Sequence, residues 1–233
     1  MKSPNEESTD QSRQVRIPVG GDPSAATQTV MLEGDLTVPP GSAGIVLFAH
    51  GSGSGRHSPR NRFVAGVIQE AGIATLLFDL LTRDEETEDN ATRRLRFDIG
   101  LLARRLVQAG RWTGSQPGTQ RLGIGCFGAS TGGAAALVAA AETGSAIEAV
   151  VSRGGRPDLA GDRLESVRSP TLLIVGERDG TVLELNRAAY ARLRCEKELK
   201  IIPRATHLFE EPGALEEVAR LAADWFRRHL RPR

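Results

Sequence analysis

One stretch of the sequence, GIGCFGASTGG from Gly123 to Gly133, contains two overlapping motifs that imply different chemistries. Beginning at Gly123 it reads G-x-G-x-x-G, which is typical of a dinucleotide-binding turn. Beginning at Gly128 it reads G-x-S-x-G, the sharp strand-to-helix turn that presents a nucleophilic serine, here Ser130. The first motif would hold a hydride-transfer cofactor, and the second would form a hydrolytic site.

The surroundings of the stretch favour the serine turn over the dinucleotide turn. A ribose-binding acid is expected about 20 residues beyond the fingerprint, but the next predicted strand ends in Ser152 and Arg153. Only an NADP-type site, in which Arg153 binds a phosphate of the cofactor, would fit the end of this strand. A dinucleotide helix would also contain Gly132 and Gly133, each costing about 1 kcal/mol relative to Ala. In a serine turn, small residues are needed two positions before and after the serine, and Gly128 and Gly132 meet this need.

Two residues downstream of Ser130 complete a catalytic triad in the order serine, acid, histidine. Asp179 follows the apolar segment TLLIVG, and His207 follows LKIIP. In a strand-turn-helix architecture with this serine turn, the acid and then the histidine come from loops after later strands. We therefore expect Ser130 as nucleophile, His207 as general base and Asp179 as the orienting acid. Asp158, after the preceding strand, is an alternative acid.

The segment HGSGSGRHSPRN, which begins at His50, is the expected source of an oxyanion hole. Two backbone N–H groups are needed, and we expect those of Thr131, directly after the nucleophile, and of Ser52. Glycines at 51, 53 and 55 would let this loop approach a substrate closely. No lysine follows them, which excludes a Walker-type phosphate loop. We expect His50 to shape the loop through hydrogen bonds.

Three basic residues are candidates for substrate binding. Arg56 and His57 belong to the glycine-rich segment, and Arg153, like Arg156, follows a predicted strand. If two of these side chains converge on the site, an acidic substrate is expected. The alternative is that they are surface residues of an arginine-rich protein.

Apolar patterning predicts the elements that must position these residues. Strands are predicted at 14–20, 27–39, 44–50, 73–80, 121–128, 147–152, 170–176 and 198–203. Helices are predicted at 59–71, 94–110, 131–142, 162–167, 182–196 and 212–230. Alternating strands and helices imply an α/β fold with a doubly wound, mostly parallel sheet and helices on both faces. The polar segment Thr82 to Arg94 is predicted as a solvated loop that could also rim or cover the site.

Composition narrows the functional class. The 233 residues are 39% hydrophobic and 25% charged, as expected for one globular domain, and the formal net charge of +1 gives no basis for binding nucleic acid or an anionic membrane. The two cysteines predict neither a disulfide framework nor a zinc site. Residues 1–14 are predicted to be a disordered polar tail without the apolar run of a signal peptide, followed by a single domain over 15–233. The expected location is the cytoplasm.

With these residues placed, the chain from about Val15 onward resembles the α/β-hydrolase superfamily, and within it the dienelactone-hydrolase-like group. The resemblance rests on HGSGSGRHSPRN, GASTGG, GERDGTV and THLFEEPG. It implies the α/β-hydrolase fold without a large cap domain. Dienelactone hydrolases proper use a cysteine where this chain has Ser130. Cys126 cannot replace it, because the motif would then require glycine at 124, where the chain has Ile124.

The resulting prediction is a serine hydrolase, with neither cofactor nor metal, that cleaves a small carboxylic ester, lactone or thioester. A serine nucleophile favours an esterase-like member of the group. Two alternatives remain open from the sequence: a non-catalytic member that binds a small molecule or a partner, and an NADP-dependent reductase. A monomer or a homodimer is expected.

Overall fold

The computed structural model describes residues 11–20 and 29–233. Residues 1–10 of the predicted tail lie outside these ranges, and 11–14 belong to the first strand. Within the described ranges the chain forms eight strands and six α-helices. The strands are β1 Gln11–Val19, β2 Val30–Val38, β3 Gly44–Ala49, β4 Ala74–Phe78, β5 Gly123–Ala129, β6 Ala149–Arg153, β7 Thr171–Gly176 and β8 Lys197–Ile202. The helices are α1 Pro59–Glu70, α2 Arg83–Thr92, α3 Ile99–Thr113, α4 Thr131–Thr143, α5 Gly180–Arg192 and α6 Ala214–His229.

The strands form one sheet in the order β1-β2-β4-β3-β5-β6-β7-β8. The pairs β1–β2 and β2–β4 are antiparallel, and every pair from β4 to β8 is parallel. This confirms the predicted doubly wound, mostly parallel sheet. No large cap domain is inserted within the described residues. The carboxyl ends of the parallel strands meet at one edge, where a sheet of this kind binds ligands.

Alternating residues of the central strands feed two separate cores. On β3, Ile45 and Leu47 pack with α3 and α4, whereas Val46 and Phe48 face the layer of α1 and α6. This division follows from the two-residue period of a strand, because successive side chains point to opposite faces. Helices therefore cover both faces of the sheet, as predicted.

The prediction of a loop over Thr82–Arg94 is wrong, because residues 83–92 form helix α2. Thr82 caps the helix and forms a capping box with Glu85. The guanidinium of Arg105 on α3 binds Glu85 and the carbonyl of Leu80. Since Asp89 is the one buried residue of α2, caps and ion pairs rather than an apolar face hold this helix. The following helix, predicted from 94, begins at Ile99.

In the described part of the chain, no helix combines the length and apolar character needed to cross a bilayer.

Candidate active site

Ser130 occupies the turn between β5 and α4 in a backbone conformation that side chains rarely adopt. Its φ is 50° and its ψ is −121°. A non-glycine residue held in such a conformation costs on the order of 1–3 kcal/mol, and such strain is concentrated at functional sites. Hydrogen bonds fix the turn: the N–H of Ser130 donates to Arg153 at 3.2 Å, and its carbonyl accepts from Gly133 and Arg156 at 3.0 and 3.1 Å.

Two glycines make this turn sterically possible. A Cβ on Gly128 would lie 2.3 Å from the carbonyl oxygen of Gly132, and one on Gly132 would lie 2.0 Å from the oxygen of Ala49. The first contact lies within the turn, and the second joins the turn to the end of β3. The motif glycines are therefore required by close backbone approach, as the serine-turn interpretation predicts.

His207 and Asp179 form a hydrogen-bonded pair, with Nδ1 of the imidazole 2.6 Å from Oδ2 of the carboxylate. Asp179 lies just beyond β7 and His207 just beyond β8. The loops that carry them are joined by backbone bonds, Glu177 N–H to Ile202 at 3.0 Å and Arg178 N–H to Ala205 at 2.9 Å. The carboxylate is largely buried, whereas 39% of the imidazole side chain is exposed and can meet a ligand.

Gly154 links this pair to the serine turn. A methyl group at Gly154, where φ is +52°, would lie 3.5 Å from Cε1 of His207. Its chain neighbour Arg153 accepts the hydrogen bond from the N–H of Ser130. The imidazole therefore lies against the strand end that holds the nucleophile turn. The alternative acid, Asp158, is instead bound by the guanidinium of Arg156 at 2.7 and 2.8 Å.

The glycine-rich loop lies directly against the serine turn. A Cβ on Gly51 would be 3.0 Å from the Cβ of Ser130, and the hydroxyl of Ser52 is 3.1 Å from that of Thr131. Among the described residues, no hydrogen bond occupies the N–H of Ser52 or of Thr131. Both groups remain free to bind an oxyanion. Thr131 also begins α4, whose N-terminal dipole favours negative charge at this point.

His50 anchors the loop through both ring nitrogens. Nδ1 lies 3.0 Å from the carbonyl of Gly51, and Nε2 lies 2.9 Å from the N–H of Leu80. A carbonyl can only accept and an N–H can only donate, so the proton of the neutral ring is on Nδ1. Burial lowers the pKa of His50 and so favours this neutral form. The geometry matches the shaping role expected for this residue.

A cavity of about 540 Å³ opens beside the loop. Thr131, the loop from His50 to Gly55 and the start of α1 line one part of it. Helix α2 and the turn after it line another part, through Glu86, Asp89, Asn90 and Arg96. Sequence reasoning did not find these four residues, although the T-x-x-E pattern at Thr82 was an available signal for the helix.

The three basic candidates for substrate contact occupy different environments. His57 is exposed and lines the cavity. The guanidinium of Arg56 binds Asp79 and, at 2.7 Å, Glu33. It is therefore engaged by carboxylates and holds the loop against β2 and β4. Arg153 is buried, with 8% of its surface exposed.

Two further expectations concern cysteine and metal. Cys126 is fully buried inside β5, and burial raises the pKa of its thiol, which removes it as a nucleophile. Within residues 11–20 and 29–233, no three His, Cys, Asp or Glu side chains are grouped so that they could hold a metal ion.

Comparison with known proteins shows which family the chain resembles. A family model described as an alpha/beta hydrolase domain matches residues 42–221. A solved dienelactone hydrolase from Anabaena variabilis is 58% identical, with a TM-score of 0.90, and the match covers 95% of this chain and 99% of that one. The esterase Pf2001 of Pyrococcus furiosus is 19% identical with a TM-score of 0.74, covering 94% and 93% of the two chains, and supports the fold alone.

Two proteins of Mycobacterium tuberculosis are 60% identical over 201 residues. They are named provisionally as phosphoribosyl transferases. The match covers 86% of this chain but 44% of theirs, so the chain spans less than half the length of these relatives.

Proposed function

This chain belongs to the α/β-hydrolase family, within its dienelactone-hydrolase-like group, and we propose that it is a cofactor-free serine hydrolase. It cleaves a small carboxylic ester, lactone or thioester through an acyl-enzyme on Ser130. The observation that carries the proposal is the 2.6 Å hydrogen bond between His207 and Asp179 beside the strained turn of Ser130. A fold of this kind hosts many functions, so the proposal depends on the site rather than on the fold.

The acid and the histidine activate the serine. Asp179 accepts a hydrogen bond from Nδ1–H of His207, which leaves Nε2 unprotonated and able to accept the proton of the Ser130 hydroxyl. The hydroxyl oxygen attacks the substrate carbonyl carbon, and the protonated imidazole then donates its proton to the leaving group. Water repeats the sequence on the acyl-enzyme and releases the acid.

The oxyanion of each tetrahedral intermediate is bound by the N–H groups of Ser52 and Thr131. The removal of one such donor typically costs about 10²–10³ in kcat. Because the Gly51 backbone lies against Ser130, the loop that carries the Ser52 donor is next to the nucleophile. His57 and Arg153 are the substrate contacts we propose, whereas Arg56 has a structural role.

The phosphoribosyl transferase name of the longer relatives is not carried over to this chain. The matched part is the α/β-hydrolase part, and more than half of each relative lies outside it. We propose that any transferase activity of those proteins resides in the unmatched part.

A panel of 4-nitrophenyl esters, small lactones and small thioesters tests the proposal. Wild type should hydrolyse at least one class with saturation kinetics, and Ser130→Ala should reduce kcat by about 10⁴ or more while the melting temperature is retained. Ser115→Ala, an exposed serine just after α3 that does not line the cavity, is the control. Equal activity of wild type and Ser130→Ala would refute the proposal.

A further inference from the structure

Asn186 is a fully buried asparagine on α5 whose amide forms a hydrogen bond outside its own helix. Its Nδ2 donates to the carbonyl of Gly155, 31 residues earlier, at 2.9 Å, and to that of Val182 in α5 at 2.8 Å. Both partners are carbonyl oxygens, which can only accept, so the NH2 group of the amide faces them. Oδ1 is buried and meets no donor among the described residues. An unpaired buried acceptor lowers stability, so packing alone does not explain an amide at this position.

The carbonyl of Gly155 belongs to the peptide group whose N–H is that of Arg156. This N–H donates to the carbonyl of Ser130 at 3.1 Å. The peptide bond is trans, and in a planar trans peptide group the C=O and the N–H point in opposite directions. Asn186 and Ser130 are therefore bound to the two ends of one peptide group. Rotation of this group would break both hydrogen bonds together.

The carbonyl of Ser130 belongs in turn to the peptide group whose N–H is that of Thr131. That N–H is one of the two oxyanion donors proposed above, and it points away from the carbonyl for the same reason. Hydrogen bonds therefore run from the Asn186 amide through two peptide groups to the point where an oxyanion would bind. Hydrogen-bonded groups in such a chain polarise one another, so each N–H becomes a stronger donor when the C=O of its own peptide group accepts a bond.

The segment after β6 needs an external hydrogen bond because it contains two consecutive glycines, Gly154 and Gly155. Glycine has the widest range of backbone conformations, so these residues do not by themselves fix the orientation of the 155–156 peptide group. A larger residue is excluded at 155, because a Cβ there would lie 1.9 Å from Oγ of Ser152. The amide of Asn186 fixes an orientation that the glycines leave free.

Helix α5 also follows the acid of the candidate triad. Asp179 is the residue at its N-cap, and the carbonyl of Asp179 accepts from the N–H of Leu183 at 2.8 Å. Asn186 lies about two turns further along the same helix. Its hydrogen bond to Gly155 therefore connects the helix that begins at the acid to the segment that holds the serine turn.

We propose that Asn186 is a positioning residue of the hydrolase, which orients the N–H of Thr131 in the oxyanion hole through these two peptide groups. The inference rests on the proposed function. Asn186 acts through the backbone and is not placed in contact with substrate. Because the oxyanion forms only after the serine attacks, loss of the amide should lower kcat and leave KM near its wild-type value.

Two variants test the role of the amide. Asn186→Leu removes its donors and keeps the approximate size of the side chain, and Asn186→Ala removes them without adding bulk. Each should lower kcat for the best ester of the panel by about tenfold to 100-fold, with KM within threefold of wild type. The rate constant for fluorophosphonate labelling of Ser130 should fall by a similar factor. Hydrogen exchange followed by NMR should show faster exchange of the Arg156 N–H.

Ser169→Ala is the matched control. Ser169 is buried, and its hydroxyl donates to the carbonyl of Ile147 at 2.6 Å, so this variant also removes a buried bond between distant parts of the chain. These residues precede β7 and β6, at the edge of the sheet opposite the candidate site. Ser169→Ala should lower the melting temperature, while kcat, KM and exchange of the Arg156 N–H stay within twofold of wild type.

The proposal is overturned if both Asn186 variants retain kcat within threefold of wild type, or if the Arg156 N–H exchanges at the wild-type rate in both. A loss of kcat no larger than that of Ser169→Ala, or failure of both variants to fold, would assign the amide a structural role and would also overturn it. Failure of the hydrolase proposal is distinguishable from these results. Wild type would then show neither turnover nor labelling, while exchange of the Arg156 N–H still depended on Asn186.

Discussion

Substitution of Gly132 by alanine should damage both activity and stability. The added methyl carbon would lie 2.0 Å from the oxygen of Ala49 and 2.7 Å from that of His50. Favourable contact requires about 3.5 Å, so the start of α4 and the end of β3 would have to separate by about 1.5 Å. The contacting atoms are backbone, and no side-chain rotation can relieve the clash.

This separation should lower both the stability and the activity of the protein. Overpacking of a tight interior typically costs about 1–3 kcal/mol of unfolding free energy, or roughly 2–12 °C in melting temperature for a chain of this size. The same shift moves Ser130 away from the N–H of Ser52, and a 1 Å misplacement costs about 10²-fold in rate. We expect kcat/KM to fall by about 100-fold or more.

Gly66→Ala is the matched control. Gly66 lies inside α1, and a Cβ there would meet no atom within 4 Å. Alanine in a helix interior is favoured over glycine by up to about 1 kcal/mol, so this variant should be slightly more stable and equally active. Chemical unfolding and ester hydrolysis on both variants provide the two readouts. If Gly132→Ala retained activity within threefold of wild type, the argument from crowding at the turn would be refuted.

Three further predictions concern other groups. Asp179→Asn should reduce kcat by about 10⁴ in ester hydrolysis, since the amide cannot hold the required imidazole tautomer, and a loss below tenfold would contradict this role. Burial lowers the pKa of His50 in the folded state. The neutral imidazole therefore makes its full contribution to the free energy of unfolding above the unfolded pKa near 6.5, and this contribution is lost as pH falls through the folded pKa. In urea unfolding between pH 5 and 7, His50→Gln should therefore show a flatter pH dependence, and an unchanged slope would oppose this. Iodoacetamide should label the native protein at half-buried Cys195 and not at buried Cys126, as peptide mass spectrometry can establish; labelling at Cys126 first would be inconsistent with its burial.

The elements that carry the candidate triad were predictable because their signals are local. Buried parallel strands read as continuous apolar runs, as in TLLIVG before Asp179. The order of parallel strands then brings the residues after each strand to one edge of the sheet. The serine turn was equally readable, since Gly128 and Gly132 approach each other within the motif itself.

Helix α2 was not predicted because its stability comes from distant residues. Its ten residues lack an apolar stripe, and Asp89 is the one that is buried. The partner of Glu85 is Arg105, 20 residues away. A periodicity argument cannot detect such pairing, although the capping box at Thr82 could have suggested a helix start.

The different roles of Arg56 and Arg153 could be distinguished only in the folded structure. In the sequence, Arg56 and Arg153 were both basic candidates for substrate binding. Arg56 meets Glu33 on β2 and Asp79 just after β4. Arg153 is directed into the layer of α1 and meets no carboxylate among the described residues. Partners this far apart in sequence depend on the sheet order, which composition and spacing do not specify.

The central claim is that Ser130 is activated by His207. Labelling with a fluorophosphonate probe, read by intact mass and peptide mapping, tests it most directly in wild type, Ser130→Ala and His207→Ala. The account predicts one label per chain, located on Ser130, and its loss in both variants. A folded wild-type protein that takes no label, or a label that persists in Ser130→Ala, would contradict the account.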